Sequence, residues 1–592
     1  MDMYLLLLLL FVNLRIGEGR LSWSWKWTCI NRQCIQSKDF SSTSGGRFLD
    51  SLDVCRLTCN KFGSLWPKPT GLTFIGNQVF DFNPKIIRFD VSKVSGDEGS
   101  NDYIKIATQL FLSNLYKLCG NKCSNTSEKE VLFIRINTTS SNLVLNWNTD
   151  ESYNLEVVTT DDQVTVQLNA VSVYGARHGL QTLTQLITKY TDKKGKNVLV
   201  MAANVTVNDK PAYSHRGLLI DTARNFLPVK TIKRTMEAMA MSKLNVLHWH
   251  MTDSQSFPLV STRVPQLSRF GAYSSREIYF PADISQLIEY GRLRGIRVIL
   301  EIDAPAHSGN GWQWGQAAGL GDLAVCVNQQ PWREFCIQPP CGQLNPANNN
   351  IYRVLGNLYK DIIDLMPPEE MFHMGGDEVY FPCWNSSKDI TDWMTYRRMG
   401  RENKDFIKIW GEYQQIVLKL WDELVSHSNT PIILWSSHLT LPSVIEEYLQ
   451  KDRYVIETWV EKSDPLPTDL LNLGYRVIIA TKDAWYLDHG FWGRTTYHDW
   501  KVVYDNRLPS AKKGVLGGEV AMWGELVDEH SLDNKVWPRA SAVAERLWSN
   551  PITRSTATEY RLIQHRKSLI QKGIDAQAIM PEWCSKHEGE CA

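Results

Sequence analysis

The feature that most constrains this chain is a rhythm that starts near Tyr213. Eight apolar, strand-like runs recur from there: "SHRGLLIDTAR", "LNVLHWHMTD", "IRVILEIDAPAH", "MFHMGGDE", "PIILWSS", "YVIETWV", "YRVIIATKDAWYLD" and "GVLGGEVAMWGE". Helical stretches such as "VKTIKRTMEAMAMSK", "ISQLIEYGRLRG" and "IWGEYQQIVLKLWDELVSH" lie between them. Near-continuous apolar runs describe strands buried on both faces, and alternation with helices describes parallel pairing. Eight such units predict an α/β fold, a (β/α)8 TIM barrel over residues 211–592. Barrels of this kind carry their chemistry at the C-terminal ends of the strands. Here those ends hold Arg224, Asp253, Asp303 with His307, Asp377 with Glu378, Trp435, Trp459, Tyr486 with Asp488, and Trp523 with Glu525. Solvent beyond a strand end accounts for some polar residues, but not for recurrent tryptophans.

The region before the barrel differs. Residues 71–210 mix alternating runs ("KIIRFDVSK", "EVLFIRINT", "YNLEVVTT", "QVTVQLNA") with helical periodicity ("SNDYIKIATQLFLSNLYKL", "ARHGLQTLTQLITKY"), which predicts a smaller α+β domain. Residues 20–70 hold Cys29, Cys34, Cys55 and Cys59 and read as a stapled segment. Residues 1–19, with the short apolar run "YLLLLLLFV", read as a secretory signal peptide. The remaining cysteines are Cys119 and Cys123; Cys326, Cys336, Cys341 and Cys383; and Cys584 and Cys591, the last two forming a C-terminal tail. An even number agrees with disulfides in an oxidising compartment, secreted or extracellular, with the lysosome as the alternative. The zinc alternative for Cys55/Cys59 and Cys119/Cys123 lacks histidines at matching spacing. Sequons at Asn125, Asn137, Asn204 and Asn385 predict N-glycosylation. Lysine plus arginine equals aspartate plus glutamate, 64 each, so nothing points to nucleic acid, and no later run is apolar and long enough to span a membrane.

The stretch "HMGGDEVYFPCW" sets Asp377 and Glu378 side by side behind two glycines. Glycoside hydrolysis by two carboxylates holds them roughly 5 Å apart or wider with the sugar between, an arrangement neighbouring residues do not suit. Adjacent acids fit a different division of labour. One donates the proton, while the other orients a 2-acetamido group whose own oxygen attacks the anomeric carbon. His248 and His250 in "HWH" suggest metal, but no third ligand is apparent, and core packing is the simpler reading.

Several motifs in order, "RGLLIDTARNF", "HWHMTD", "EIDAPAH", "HMGGDE", "WYLD" and "GGEVAMWGE", closely resemble glycoside hydrolase family 20, the β-N-acetylhexosaminidases. The leading "WKWTC" and "CRLTCNKFGSLWPKPTG" look like the insect chitooligosaccharidolytic group. The resemblance implies an exo-acting, retaining enzyme that releases terminal GlcNAc or GalNAc from chitooligosaccharides or GlcNAc-terminated glycans. It would work without metal or cofactor, and as a homodimer. The resemblance also implies roles. Glu378 would be the general acid, its pKa raised by burial. Asp377 would hold the acetamido N–H, and Tyr486 the acetamido oxygen. Trp435, Trp459 and Trp523 would wall the sugar pocket. Arg224 and Glu525 would bind hydroxyls, with Asp488 assisting Tyr486. Asp253 and His307 would tune Glu378 from behind. Gln338 with Trp332, Trp492 and Trp500 would form an outer subsite; these tryptophans, with Trp312 and Trp314, either serve further sugars or simply line loops. Gln338 stands where chitinolytic members carry an acid, and the loop "WYLDHGFWGRTTYHDW" is short; both imply a weaker grip on long chitin oligomers. Hexosaminidases that trim N-glycans or act in lysosomes, and an inactive glycan-binding lectin, remain the alternatives.

Overall fold

The computed structural model describes residues 26–37, 48, 50–96, 98–120, 123, 131–159, 163–192, 195–368, 370–425, 430–509 and 513–591. The segment expected to be a signal peptide and the Asn125 sequon lie outside them.

The eight runs form eight parallel strands that close into a barrel. In order these are His215–Asp221, Val246–Thr252, Arg297–Ile302, Phe372–His373, Ile432–Trp435, Tyr454–Thr458, Arg476–Ile479 and Val515–Met522. The first three are buried at every position. Side chains alternate between the helix layer and the lumen. Leu218, Ile220, Leu247, Trp249, Leu300 and Ile456 pack outward with the helices. The lumen is filled in layers, as this architecture demands. An apolar layer of Val246, Ile299, Met371, Ile433, Val455 and Ile478 lies at the N-terminal mouth, and Trp147 from the preceding domain packs against it. At the other end Leu219, Trp435, Ala480, Tyr486 and Ala521 make a second apolar group.

The middle of the lumen is charged. His248 lies 2.6 Å from Glu519 and 3.0 Å from Glu301, and His250 bridges Glu301 (2.5 Å) and Asp253 (3.1 Å). His215 meets Glu519 at 3.1 Å and takes a hydrogen bond from the Trp147 indole at 3.3 Å. Burial opposes charge on His250, but Glu301 and Asp253 outweigh it and raise the imidazole to about 10. These two histidines are therefore neither plain core packing nor a bare metal pair. Each is held between carboxylates that favour its protonated form against burial, which is how a buried charge becomes tolerable.

The domain before the barrel has a six-stranded mixed sheet. Helices Glu98–Cys119 and Val173–Gln185 share its core through Ile104, Phe111, Leu115, Leu180 and Leu183. The N-terminal hairpin, Lys26–Ile30 with Gln33–Ser37, is stapled to helix Leu52–Thr58 by Cys29–Cys59 and Cys34–Cys55. The other pairs are Cys119–Cys123, Cys326–Cys383, Cys336–Cys341 and Cys584–Cys591. Arg56 reaches the C-terminal tail through Glu588 at 2.8 Å.

A buried ion pair ties the accessory domain to the barrel. Arg216, on the first barrel strand, gives two hydrogen bonds to Glu151, at 2.9 and 2.7 Å, and His178 completes the set at 2.8 Å. Truncating Glu151 to alanine strands the Arg216 charge. The expected loss is about 3–5 kcal/mol, read as a lower urea midpoint. A loss under about 1 kcal/mol, the range of an exposed pair, would contradict this.

Candidate active site

The strand ends converge on one cavity of about 290 Å³ at the C-terminal mouth of the barrel. Its lining includes Arg224, Asp303, His307, Gln338, Asp377, Glu378, Trp459, Tyr486, Asp488, Trp492, Trp523 and Glu525.

The two glycines before the acids are required by backbone geometry. Gly375 and Gly376 have φ of +63° and +85°. A Cβ on Gly375 would overlap the Asp303 carboxylate, which accepts the Gly376 N–H at 2.9 Å. The turn lets Asp377 and Glu378 both face the cavity instead of opposite sides of a strand. Glu378 itself sits at φ +47°, and His307 at +53°. Non-glycine residues in this region are held there at a cost of order 1–3 kcal/mol each and cluster at functional sites.

Behind Glu378 runs a chain of hydrogen bonds. His307 Nε2 lies 3.3 Å from Glu378 Oε2 and 3.9 Å from Asp377 Oδ1. Its Nδ1 lies 3.0 Å from Asp253, which also holds Arg224 at 2.8 Å. Burial disfavours charge on His307, but Asp253 and Asp303 outweigh it and set the imidazole well above its ordinary range. The expected upward shift of Glu378 is reversed here. Burial does push the carboxyl up, but the hydrogen bond and charge of His307, with the Gln338 amide, outweigh it and hold Glu378 below the usual carboxylate range. Burial and Asp303 push Asp377 the other way, well above that range. Asp377 Oδ1 is buried and has no hydrogen-bond partner among the described residues.

The aromatic wall is tight. Trp459 and Tyr486 lie nearly parallel with centroids 6.5 Å apart, and Trp523 stands 6.0 Å from Tyr486. Arg224 lies over the Trp523 ring at 5.1 Å and also bonds Asp221 at 3.1 Å. Burial pushes Glu525 up, partly offset by Arg224. Asp488 is already held by Lys535 at 2.7 Å and Arg539 at 3.0 Å.

Four residues stand elsewhere than expected. Trp435 is fully buried and is not in the cavity lining; its indole donates to Glu301 at 2.7 Å, and it packs 5.9 Å from Trp523, so it supports the wall from beneath. Trp500 is buried in the core that joins barrel and helices, away from any outer subsite, because it opens helix Trp500–Asp505 with its ring turned inward. Gln338 is inside the site, touching Glu378 at 3.3 Å, instead of beyond it. Trp332 is absent from the lining but stands 5.9 Å from Trp492, which is 47% exposed at the rim. Trp312 and Trp314 are core residues. Asn204 and Asn385 are exposed, and Asn137 is half-buried.

The residues that sequence reasoning missed are those of the lumen: Glu301, His373, Glu457 and Glu519. A charged residue in the middle of a run buried on both faces is the signal that could have found Glu301 in "RVILEI" and Glu519 in "VLGGEVAM". Groups such as His248, Glu301 and His373 are close enough to consider a metal ion. In this cluster His373 Nδ1 accepts the Gly375 N–H and His248 lies in ion-pair range of Glu519 and Glu301, while the Nε2 atoms of His248 and His373 are buried with no hydrogen-bond partner among the described residues.

Comparisons agree with this geometry. The "Glycosyl hydrolase family 20, catalytic domain" matches residues 213–551, and "beta-acetyl hexosaminidase like" matches residues 65–186. The chitooligosaccharidolytic beta-N-acetylglucosaminidase of Ostrinia furnacalis is 39% identical over 582 residues, covering 95% of each chain. The probable beta-hexosaminidase fdl of Drosophila melanogaster is 40% identical over 476 residues, 76% of this chain and 69% of that one. The solved structure of a Flavobacterium johnsoniae chitobiase shares the fold with a TM-score of 0.67 at 24% identity, over 86% of this chain and 73% of its own. The (β/α)8 barrel, its cavity and these matches together place the chain in glycoside hydrolase family 20.

Proposed function

We propose that this family 20 hydrolase removes single GlcNAc residues from the non-reducing ends of chitooligosaccharides, using the substrate's own amide as nucleophile. The observation that carries this reading is the unpartnered Asp377 Oδ1, buried at the cavity wall beside Glu378. A buried carboxylate oxygen without a donor is costly, and an acetamido N–H supplies the missing bond. That bond turns the amide oxygen toward the anomeric carbon, with Tyr486 donating to it. Glu378 protonates the leaving oxygen and later takes a proton from the incoming water. Two displacements at one carbon give net retention.

In the ligand-free protein burial and Asp303 favour the protonated form of Asp377, and the His307 and Gln338 donors favour the ionised form of Glu378. Catalysis needs the reverse preference. The substrate N–H favours ionised Asp377, and the sugar excludes water from Glu378, so binding moves the proton to the acid that uses it.

Arg224 and Glu525 bind the terminal sugar's hydroxyls. Trp459 and Trp523 hold its faces, and the exposed Trp492 with Trp332 receives the next sugar. The protein is secreted, in keeping with its six disulfides, and it acts as a homodimer, which sedimentation checks.

The Drosophila relative is named a beta-hexosaminidase without reference to chitooligosaccharides, which leaves a second reading, action on other GlcNAc-terminated glycans. Digests of reduced chitooligomers and of a GlcNAc-terminated biantennary glycan separate the two. The expected outcome is loss of one GlcNAc at a time from the non-reducing end, released as the β anomer, with the oligomers cleaved faster. Internal cleavage or an α product overturns the mechanism, and faster glycan trimming overturns the substrate assignment.

A further inference from the structure

Two donors from separate loops converge on one oxygen of Glu378. His307 Nε2 and Gln338 Nε2 each lie 3.3 Å from Oε2. Among the described residues no donor reaches Oε1.

The two loops are built as one piece. Gln338 lies in a short loop closed by the Cys336–Cys341 disulfide, and Cys341 is fully buried. The Pro339 carbonyl accepts a hydrogen bond from Gln255 at 3.2 Å. Immediately beyond, Gly342 packs so closely on Ser308 and Gly309 that a Cβ there would overlap their backbone, and the Ser308 N–H donates to the Gly342 carbonyl at 3.1 Å. The segment bearing Gln338 is thus tied by packing and a backbone hydrogen bond to the segment bearing His307.

We propose that Gln338 is a positioning residue for the catalytic acid: with His307 it pins Oε2 of Glu378, so that Oε1 is the oxygen that delivers the proton. As the glycosidic C–O bond breaks, its electron pair takes the proton from Oε1 while the amide oxygen bonds to the anomeric carbon. An acid free to rotate offers its proton from either oxygen and loses part of the advantage of fixed geometry. The amide also feeds the carboxylate a hydrogen bond that its protonated form does not need, which favours ionisation. The other groups facing Glu378 are His307 and Asp303 from the loop after the third strand, the neighbouring Asp377, Arg224 after the first strand, and Tyr486 and His489 after the seventh. None of them is altered by changing Gln338.

This inference rests on Glu378 being the acid, so the test includes Glu378→Gln. The variants Gln338→Leu and Gln338→Glu are compared with the native enzyme on chitobiose, a poor leaving group, and on 2,4-dinitrophenyl GlcNAc, which departs without protonation. Gln338→Leu should lower kcat on chitobiose by about tenfold or more, and on the dinitrophenyl compound by less than about threefold. The alkaline limb of kcat/KM should move up by about half a pH unit or more in both variants, through a lost donor in one and an added like charge in the other. Equal losses on the two substrates with an unmoved limb, or a change in KM alone, would overturn the role of Gln338. If Glu378→Gln itself cleaves chitobiose at the native rate, the assignment of the acid fails, and this inference with it.

Discussion

Glu378→Gln is expected to lower chitobiose turnover by about 10²–10⁴-fold, the range for loss of a positioned general acid. Glutamine keeps the volume and can still accept from His307 and Gln338 at Oε1, so the cavity should hold its shape. What is lost is the carboxyl group's ability to give and later take a proton. The affinity for an inhibitor that occupies the sugar pocket, measured by calorimetry, should therefore change little while kcat collapses. The loss should shrink for dinitrophenyl GlcNAc, because that bond breaks without protonation, although the later attack of water still needs a base. Retained native turnover on chitobiose would remove Glu378 from the chemistry.

The second large effect is at Asp377. Asparagine can offer an oxygen to the acetamido N–H, so substrate should still bind. It cannot balance the positive charge that forms when the amide closes on the anomeric carbon. Removing one preorganised electrostatic contact costs about 10²–10³ in kcat where it acts on transition-state charge. A thiazoline mimic of the cyclised intermediate should bind the native enzyme far more tightly than substrate does, and Asp377→Asn should lose most of that advantage. An unchanged ratio of thiazoline to substrate affinity would mean that Asp377 binds the ground state alone.

The barrel was legible because its signal is repetitive: eight apolar runs with polar ends need no long-range information. Asp377 and Glu378 were legible for the same local reason, being neighbours behind two glycines whose positive φ only glycine adopts freely. The disulfides could be anticipated as a class, but their pairing could not. The lumen was not legible. Glu301, on the third strand, meets His250 only through the pairing register of the second and third strands, and Glu519, on the eighth, meets His248 only because the barrel closes. The reversed shift of Glu378 has the same origin. Burial alone raises a carboxyl, and the sign depends on two donors that arrive 71 and 40 residues upstream, from His307 and Gln338. Trp435 shows the limit for aromatics: a tryptophan at the end of a strand can face the cavity or stand behind it, and one residue of register decides which.

The account's central claim is that the sugar's 2-acetamido group, and no side chain, forms the new bond to the anomeric carbon. The direct test is the rate of the native enzyme on 4-nitrophenyl GlcNAc against 4-nitrophenyl glucoside, identical except for that group. Losing an intramolecular nucleophile should slow the glucoside by at least about a thousandfold in kcat, given the effective molarities of such reactions. Comparable kcat values for the two compounds would contradict the claim and require a nucleophile supplied by the protein.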